Sequence, residues 1–377
     1  MQENGLLKTI GGIEILLEFT NQIPNLVYLN DYICLVKDKF FRRCLIKFGY
    51  RIINSGYITN LPLEIIIESL ENEFVTILSK IRILRTLTSA QILNNVFSEL
   101  KSKFLNPKLP GLSSGFYDLD LLTQGFQSED LIIIAGRPSM GKTALSLNIA
   151  LNIIKKNQLP VLIFSLEMSN EQIMYRILSS ETRINQRRLK NGKLYKNDWI
   201  KLTKIIKFLS RFPLFIDDTP NLTIQNIYST IKIIISQQTK LGLIIIDYLQ
   251  LMEISNTKNI TRAQELSQIT RSLKNLAREF NIPIIVLSQL SRNVENRVDQ
   301  KPILSDLRES GSIEQDADLV LMLYREKLAQ TKFNLKEKIK VVKLIIAKQR
   351  NGPIGDLKLL FNENQAKFTD VPINENN

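Results

Sequence analysis

The sequence predicts an α/β chain in which a mostly parallel sheet domain follows a small all-helical unit and one further helix. Three observations carry this. Beyond Gly115, short unbroken runs of Ile, Leu and Val alternate with helical patterns, as expected for strands buried on both faces. The first run leads directly into a glycine-rich turn ending in Lys-Thr. From Glu14 to about Ser79, by contrast, apolar residues recur at helical spacing with charges between them.

Bulk composition narrows the classes of function. A chain of 377 residues has room for about two domains with their own cores. It contains no histidine and only two cysteines, Cys34 and Cys44, which excludes a classical zinc site and a Ser-His-Asp triad by inventory. Reducing, intracellular surroundings are expected. Lys and Arg exceed Asp and Glu by 50 to 37, a formal +13, which suits a polyanion such as nucleic acid. An AT-biased genome would give the same Ile, Lys and Asn-rich texture, so charge leaves both readings open. No apolar run reaches transmembrane length and the first residues lack a signal-peptide core, so a soluble protein with no membrane partner is expected.

The elements follow in order. The stretch from Tyr32 to Ile46 has the periodicity of an amphipathic helix and belongs to a helical unit over residues 1–80. Residues 88–101 read as another amphipathic helix, followed by the breaker-rich segment Asn106 to Gly115, so a linker over 81–110 is expected. The sheet domain then spans 111–374. Its strands are expected at Leu131–Ala135, Val161–Phe164, Leu243–Ile246, Ile284–Leu287, Val320–Leu323 and Val341–Ile346. Residues 262–278 are one of the helical patterns between them.

Chemistry is expected at the strand ends. After Leu131–Ala135 come Gly136, Arg137, Pro138, Ser139, Met140, Gly141, Lys142 and Thr143, a phosphate-binding loop in its proper strand-to-helix setting. Its glycines let backbone N–H groups curl around an anion, Lys142 brings charge to the β- and γ-phosphates, and Thr143 offers a hydroxyl to Mg²⁺. Asp247 closes a strand of four apolar residues and is expected beside that Mg²⁺. Glu167 ends another strand and could polarise the attacking water, or be an ordinary acid facing solvent. Gln289 could sense the γ-phosphate, or be a plain polar strand end. Lys348 and Arg350, two residues apart in an extended segment, point the same way. They could reach a nucleotide, or be solvated loop charges. The segment Leu304 to Asp318 could offer backbone N–H groups and Arg308 to a phosphate chain, or be a surface loop. The basic stretch Arg183 to Arg211, with the sole Trp199, is most simply a solvated helical face, with DNA contact as the alternative.

Eight blocks occur in one order: Gly111 to Asp120, the GRPSMGKT loop, Ser165 to Ser169, Asp217 to Pro220, Asp247 to Met252, Leu287 to Arg292, Ser305 to Asp318 and Lys348 to Gly352. Together they resemble the DnaB-type replicative DNA helicases, ring-forming motors with a RecA-like P-loop NTPase domain. The resemblance implies ATP and Mg²⁺ as cofactors, with Glu167 as catalytic glutamate and Gln289 as γ-phosphate sensor. Lys348 and Arg350 become cations given to the neighbouring subunit's nucleotide. Arg308, Glu309 and Gly311 fall in the loop that grips single-stranded DNA. A homohexamer unwinding forked DNA 5′→3′ is implied, with primase and a loader as further partners, in a bacterial cytoplasm or a plastid stroma.

The N-terminal stretch departs from the family pattern, since only the latter half of its helical collar domain is matched. Collar formation and primase coupling are therefore the properties in question. The rival readings are a RecA-like recombinase that forms filaments, and a non-unwinding assembly factor.

Overall fold

The computed structural model describes residues 29–372 apart from 60, 82–88, 106–109, 212, 238–239, 253–260, 298, 308–310 and 326–338. The chain divides into two compact units, the first ending at Ser102 and the second beginning at Lys103.

The first unit is helical. Helices α1 (Leu29–Gly56) and α2 (Leu63–Ile81) form a hairpin, tied by stacked Phe48 and Phe74 rings 5.6 Å apart and by an Arg51–Glu73 ion pair. Among its described residues only Ile77 is buried. Helix α3 (Ser89–Leu105) lies at the amphipathic helix expected over residues 88–101, and the division between units falls inside it.

The second unit is built on a nine-stranded sheet in the order β3-β2-β4-β5-β1-β6-β7-β8-β9. A short helix α4 (Tyr117–Thr123) precedes β1 (Leu131–Gly136). Then come α5 (Lys142–Asn157), β2 (Val161–Ser165), α6 (Asn170–Thr182), α7 (Gln186–Lys190) and α8 (Lys196–Leu209). The chain continues through β3 (Leu214–Asp217), α9 (Ile224–Gln237), β4 (Leu243–Asp247), α10 (Arg262–Phe280) and β5 (Ile284–Gln289). It ends with α11 (Gly311–Asp316), β6 (Leu319–Tyr324), β7 (Ile339–Gln349), β8 (Gly355–Asn362) and β9 (Lys367–Asp370). Strands β1 to β6 run parallel, while β7, β8 and β9 join antiparallel.

Alternation along β1 shows why the strands are apolar throughout. Ile132 and Ile134 face one core with Leu145 and Ile149 of α5, while Leu131, Ile133 and Ala135 face another with Ile231 of α9 and Ile269 of α10. Helices thus cover both faces of the parallel strands. Each fully buried Ile or Leu contributes roughly 1.5–3 kcal/mol, which holds the strand ends in fixed register.

Three strands escaped the sequence reading. β3 is a four-residue edge strand whose residues are only half-buried. β8 and β9 alternate buried with exposed positions instead of forming apolar runs. β7 is longer than expected, so Lys348 lies within the strand and not after it. Exposure of Trp199 at 60% agrees with a solvated face on α8.

Candidate active site

The register of the parallel strands brings the polar strand ends to one edge of the sheet. Gly136 of β1 lies opposite Gln289 of β5, and Ser165 of β2 lies opposite Asp247 of β4. Neighbouring strands are about 4.8 Å apart, so residues more than a hundred positions apart in sequence share one small region.

The loop after β1 is shaped to surround an anion. Ser139 and Gly141 both take positive φ, 65° and 94°, and Met140 N–H closes a turn onto the Arg137 carbonyl. Gly141 caps α5 without any side-chain hydrogen bond, so N–H groups of the first turn point outward at the positive end of a 16-residue helix. Gly141 is also required by contact: a Cβ there would meet the Phe368 ring at 2.9 Å. Phe368 stacks on Phe361 with centroids 4.3 Å apart, forming an aromatic floor beneath the loop.

Within this frame Lys142 Nζ donates to the Gly136 carbonyl at 2.8 Å. Burial lowers the Lys142 pKa despite the opposing pull of Asp247 and Glu167. Asp247, only 4% exposed, accepts a hydrogen bond from Thr143 Oγ1 at 2.7 Å. Burial raises the Asp247 pKa, and the Thr143 bond works against that shift. For both groups desolvation outweighs their mutual attraction, as expected for charges brought close in a low-dielectric cleft. One hydroxyl and one carboxylate are the hard oxygen donors that suit Mg²⁺, which usually shares its coordination with substrate phosphates and water. Among the described residues no cluster of three or more His, Cys, Asp or Glu forms a self-sufficient metal cage. The residues fit a metal that arrives with a nucleotide.

Glu167 lies just beyond β2, where Leu166 N–H donates to the Asp247 carbonyl at 2.7 Å and holds the two strand ends together. Its carboxylate is exposed and has no hydrogen-bond partner among the described residues. It is close enough to add charge to the surroundings of both Lys142 and Asp247. Gln289 is half-buried beside the loop.

Lys348 and Arg350 lie at the other edge. Because β7 is antiparallel to β6, Gln349 pairs with Leu319 at the start of β6, next to the start of β1. The six residues of β1 separate that edge from the loop by about 17 Å. Both side chains do point the same way, since both donate to the Gln315 carbonyl. They cannot serve the loop of their own chain. Arg308 and Glu309 lie outside the described residues, and Gly311 is the first residue of α11.

Several neighbours have partners that the sequence does not reveal. Arg137 turns away from the cleft to pair with Glu295 and the Leu290 carbonyl. Gln250 donates to Ser288, beside Gln289, at 3.0 Å. Arg176 of α6 sits near Asp247 and Glu167, with its pKa lowered first by burial. Arg176 is one polar residue in an ordinary helical pattern, while Arg137 and Gln250 lie within motifs whose spacing does not reveal their distant partners.

A profile of the DnaB-like helicase C terminal domain matches residues 111–370. A probable replicative DNA helicase of Trieres chinensis is 60% identical over 370 residues, covering 98% of this chain and 81% of that protein. The replicative DNA helicase DnaB of Geobacillus stearothermophilus is 39% identical over 375 residues, covering 97% and 80%. Among solved structures, one ATPase domain superposes with a TM-score of 0.70 at 36% identity, covering 76% of this chain and 99% of that one. A DnaB-like replicative helicase, described with its interactions with primase, gives 0.78 at 33% identity, covering 97% and 85%.

Proposed function

From the premise that this chain belongs to the DnaB-like replicative DNA helicases, we propose that its strand-end cluster hydrolyses ATP with Mg²⁺ to unwind forked DNA. The chain is a replicative helicase and binds nucleotide by membership of that family; the roles of individual residues are our assignment. In this reading residues 111–374 are the motor, 81–110 the linker and 1–80 part of the collar.

The loop from Gly136 to Thr143 receives the phosphates through its N–H groups, and Lys142 neutralises β- and γ-oxygens. Thr143 and Asp247 would hold the metal, which would supply positive charge to the phosphate oxygens. Glu167 takes a proton from water as the water oxygen bonds to the γ-phosphorus. The bond to the bridging oxygen then breaks and leaves its electron pair on ADP. Gln289 orients the water or senses the γ-phosphate. Lys348 and Arg350 complete the site of the next subunit, so a ring is required, a homohexamer by family. Arg308, Glu309 and Gly311 contact the encircled strand, along which movement is 5′→3′. Primase and a loader are the further partners. A bacterial cytoplasm or a plastid stroma is the setting, and among the described residues no helix is long and apolar enough to cross a membrane.

The observation that carries this reading is the 2.7 Å contact of Thr143 with Asp247 across 104 residues of sequence, with the exposed carboxylate of Glu167 alongside. Glu167→Gln tests it: forked-duplex unwinding and ATP turnover should fall by roughly a hundredfold or more, while a fluorescent nucleotide binds as before. Turnover near that of the parent protein would overturn the assignment.

A further inference from the structure

At the edge opposite the phosphate loop, the residue that begins the approach to β6 makes an unusual number of bonds. Asp318 is 6% exposed. Its Oδ2 accepts from Leu131 N–H at 2.8 Å and from Lys274 Nζ of α10 at 2.6 Å. Its backbone N–H donates to the Leu131 carbonyl, and its own carbonyl accepts from Arg350 N–H at 2.9 Å. Its other carboxylate oxygen, Oδ1, lies 3.2 Å from Arg350 Nη1. Arg350 Nη2 donates to the Gln315 carbonyl at 2.8 Å, and Lys348 Nζ donates to the Glu314, Gln315 and Ala317 carbonyls.

We propose that Asp318 is the positioning residue for Arg350: its carboxylate, anchored by Lys274 and the first amide of β1, fixes the guanidinium that serves the neighbouring subunit. This rests on the trans role given to Arg350 above. Arg350 is 45% exposed at its side chain, whereas Asp318 and Lys274 are at 7% and 12%. A partly solvent-facing cation is thus tied to a buried pair. A guanidinium has five N–H donors in one plane, and the Asp318 and Gln315 contacts occupy one edge of each terminal nitrogen, leaving other donors for a phosphate. Misplacement of a transition-state charge by about 1 Å can lower turnover about a hundredfold, so the anchor matters even though Asp318 never touches nucleotide. Because Lys348 also donates to the Gln315 carbonyl at the end of α11, both cations share that one acceptor.

The test is a double-mutant cycle on assembled full-length protein, following ATP turnover and fluorescent-nucleotide affinity. Asp318→Asn should lower kcat about tenfold or more while affinity stays within about twofold. Asp318→Asn/Arg350→Ala should be no slower than Arg350→Ala alone, because Asp318 acts through Arg350. A merely structural role would lower affinity and add to the Arg350→Ala loss, and that result overturns the proposal. Parent-like kcat in Asp318→Asn with a deficient Arg350→Ala overturns it while leaving the trans role intact. Parent-like kcat in Arg350→Ala overturns both. Since Asn at 318 strands the buried Lys274 charge, Asp318→Asn/Lys274→Gln repeats the cycle with that charge removed, and the same outcomes decide.

Discussion

Gly141→Ala is expected to destabilise the ATPase unit by about 2–5 kcal/mol in the absence of nucleotide. Two independent costs add. The residue has φ of 94°, a left-handed conformation that costs a residue with a Cβ roughly 1–2 kcal/mol. The new methyl would also lie 2.9 Å and 3.0 Å from two Phe368 ring carbons and 3.1 Å from one of Phe361, well inside ordinary carbon contact of about 3.5–4.0 Å. Both rings are buried, at 3% and 6% exposure, and stack on each other. They have little room to retreat, so overpacking should cost about 1–3 kcal/mol more. For a unit of this size each kcal/mol moves Tm by about 2–4 °C, so melting followed by circular dichroism should show a fall of roughly 4–20 °C. Phe368→Leu removes the two nearest atoms but leaves the backbone strain. In that background the 3.1 Å approach to Phe361 remains, so Gly141→Ala should cost less than in the parent but no less than the backbone strain of about 1–2 kcal/mol. A single-variant effect below about 0.5 kcal/mol, or strict additivity of the two substitutions, would refute the argument.

Lys142→Met should melt within about 1 kcal/mol of the parent without nucleotide, since it loses one carbonyl hydrogen bond but also a desolvated cation. At an ATP concentration one hundred times the parent Kd, the parent gains about 2.7 kcal/mol. A variant binding a hundredfold more weakly gains only about 0.4 kcal/mol; equal thermal shifts would remove Lys142 from the phosphate site. Asp130, beside Asp318, has its pKa raised to about 6, first by burial and then by the Asp318 charge. The folded state therefore holds a proton that the unfolded chain has released, and stability falls as pH rises from about 4 to 6. Asp130→Asn should remove that slope and raise stability at pH 8 by on the order of 1–3 kcal/mol, read from urea melts at pH 5 and 8; an unchanged slope would locate the titration elsewhere.

How much was legible depended on range. The loop from Gly136 to Thr143 could be read because its chemistry is local: two glycines, a lysine and a hydroxyl within eight residues, after an apolar strand. Asp247 could be read as the end of an apolar run, and α3 from its periodicity. β3, β8 and β9 could not, because edge and antiparallel strands are half-buried and lack continuous apolar runs. Arg137 is the instructive case. It sits in the middle of the phosphate motif, yet its guanidinium is held by Glu295, 158 residues away.

By itself the sequence determined which residue types end which strands, and hence that a nucleotide is the ligand. The order of the strands was left to the tertiary structure, because hydrogen-bonded register is a property of pairs of segments and not of either one. That order puts Thr143 against Asp247 at one edge, and at the other Arg350 against Asp318 with Lys348 on the carbonyls just before it. An antiparallel β7 is the physical reason for the separation: reversing one strand moved the two cations a full strand length from their own loop.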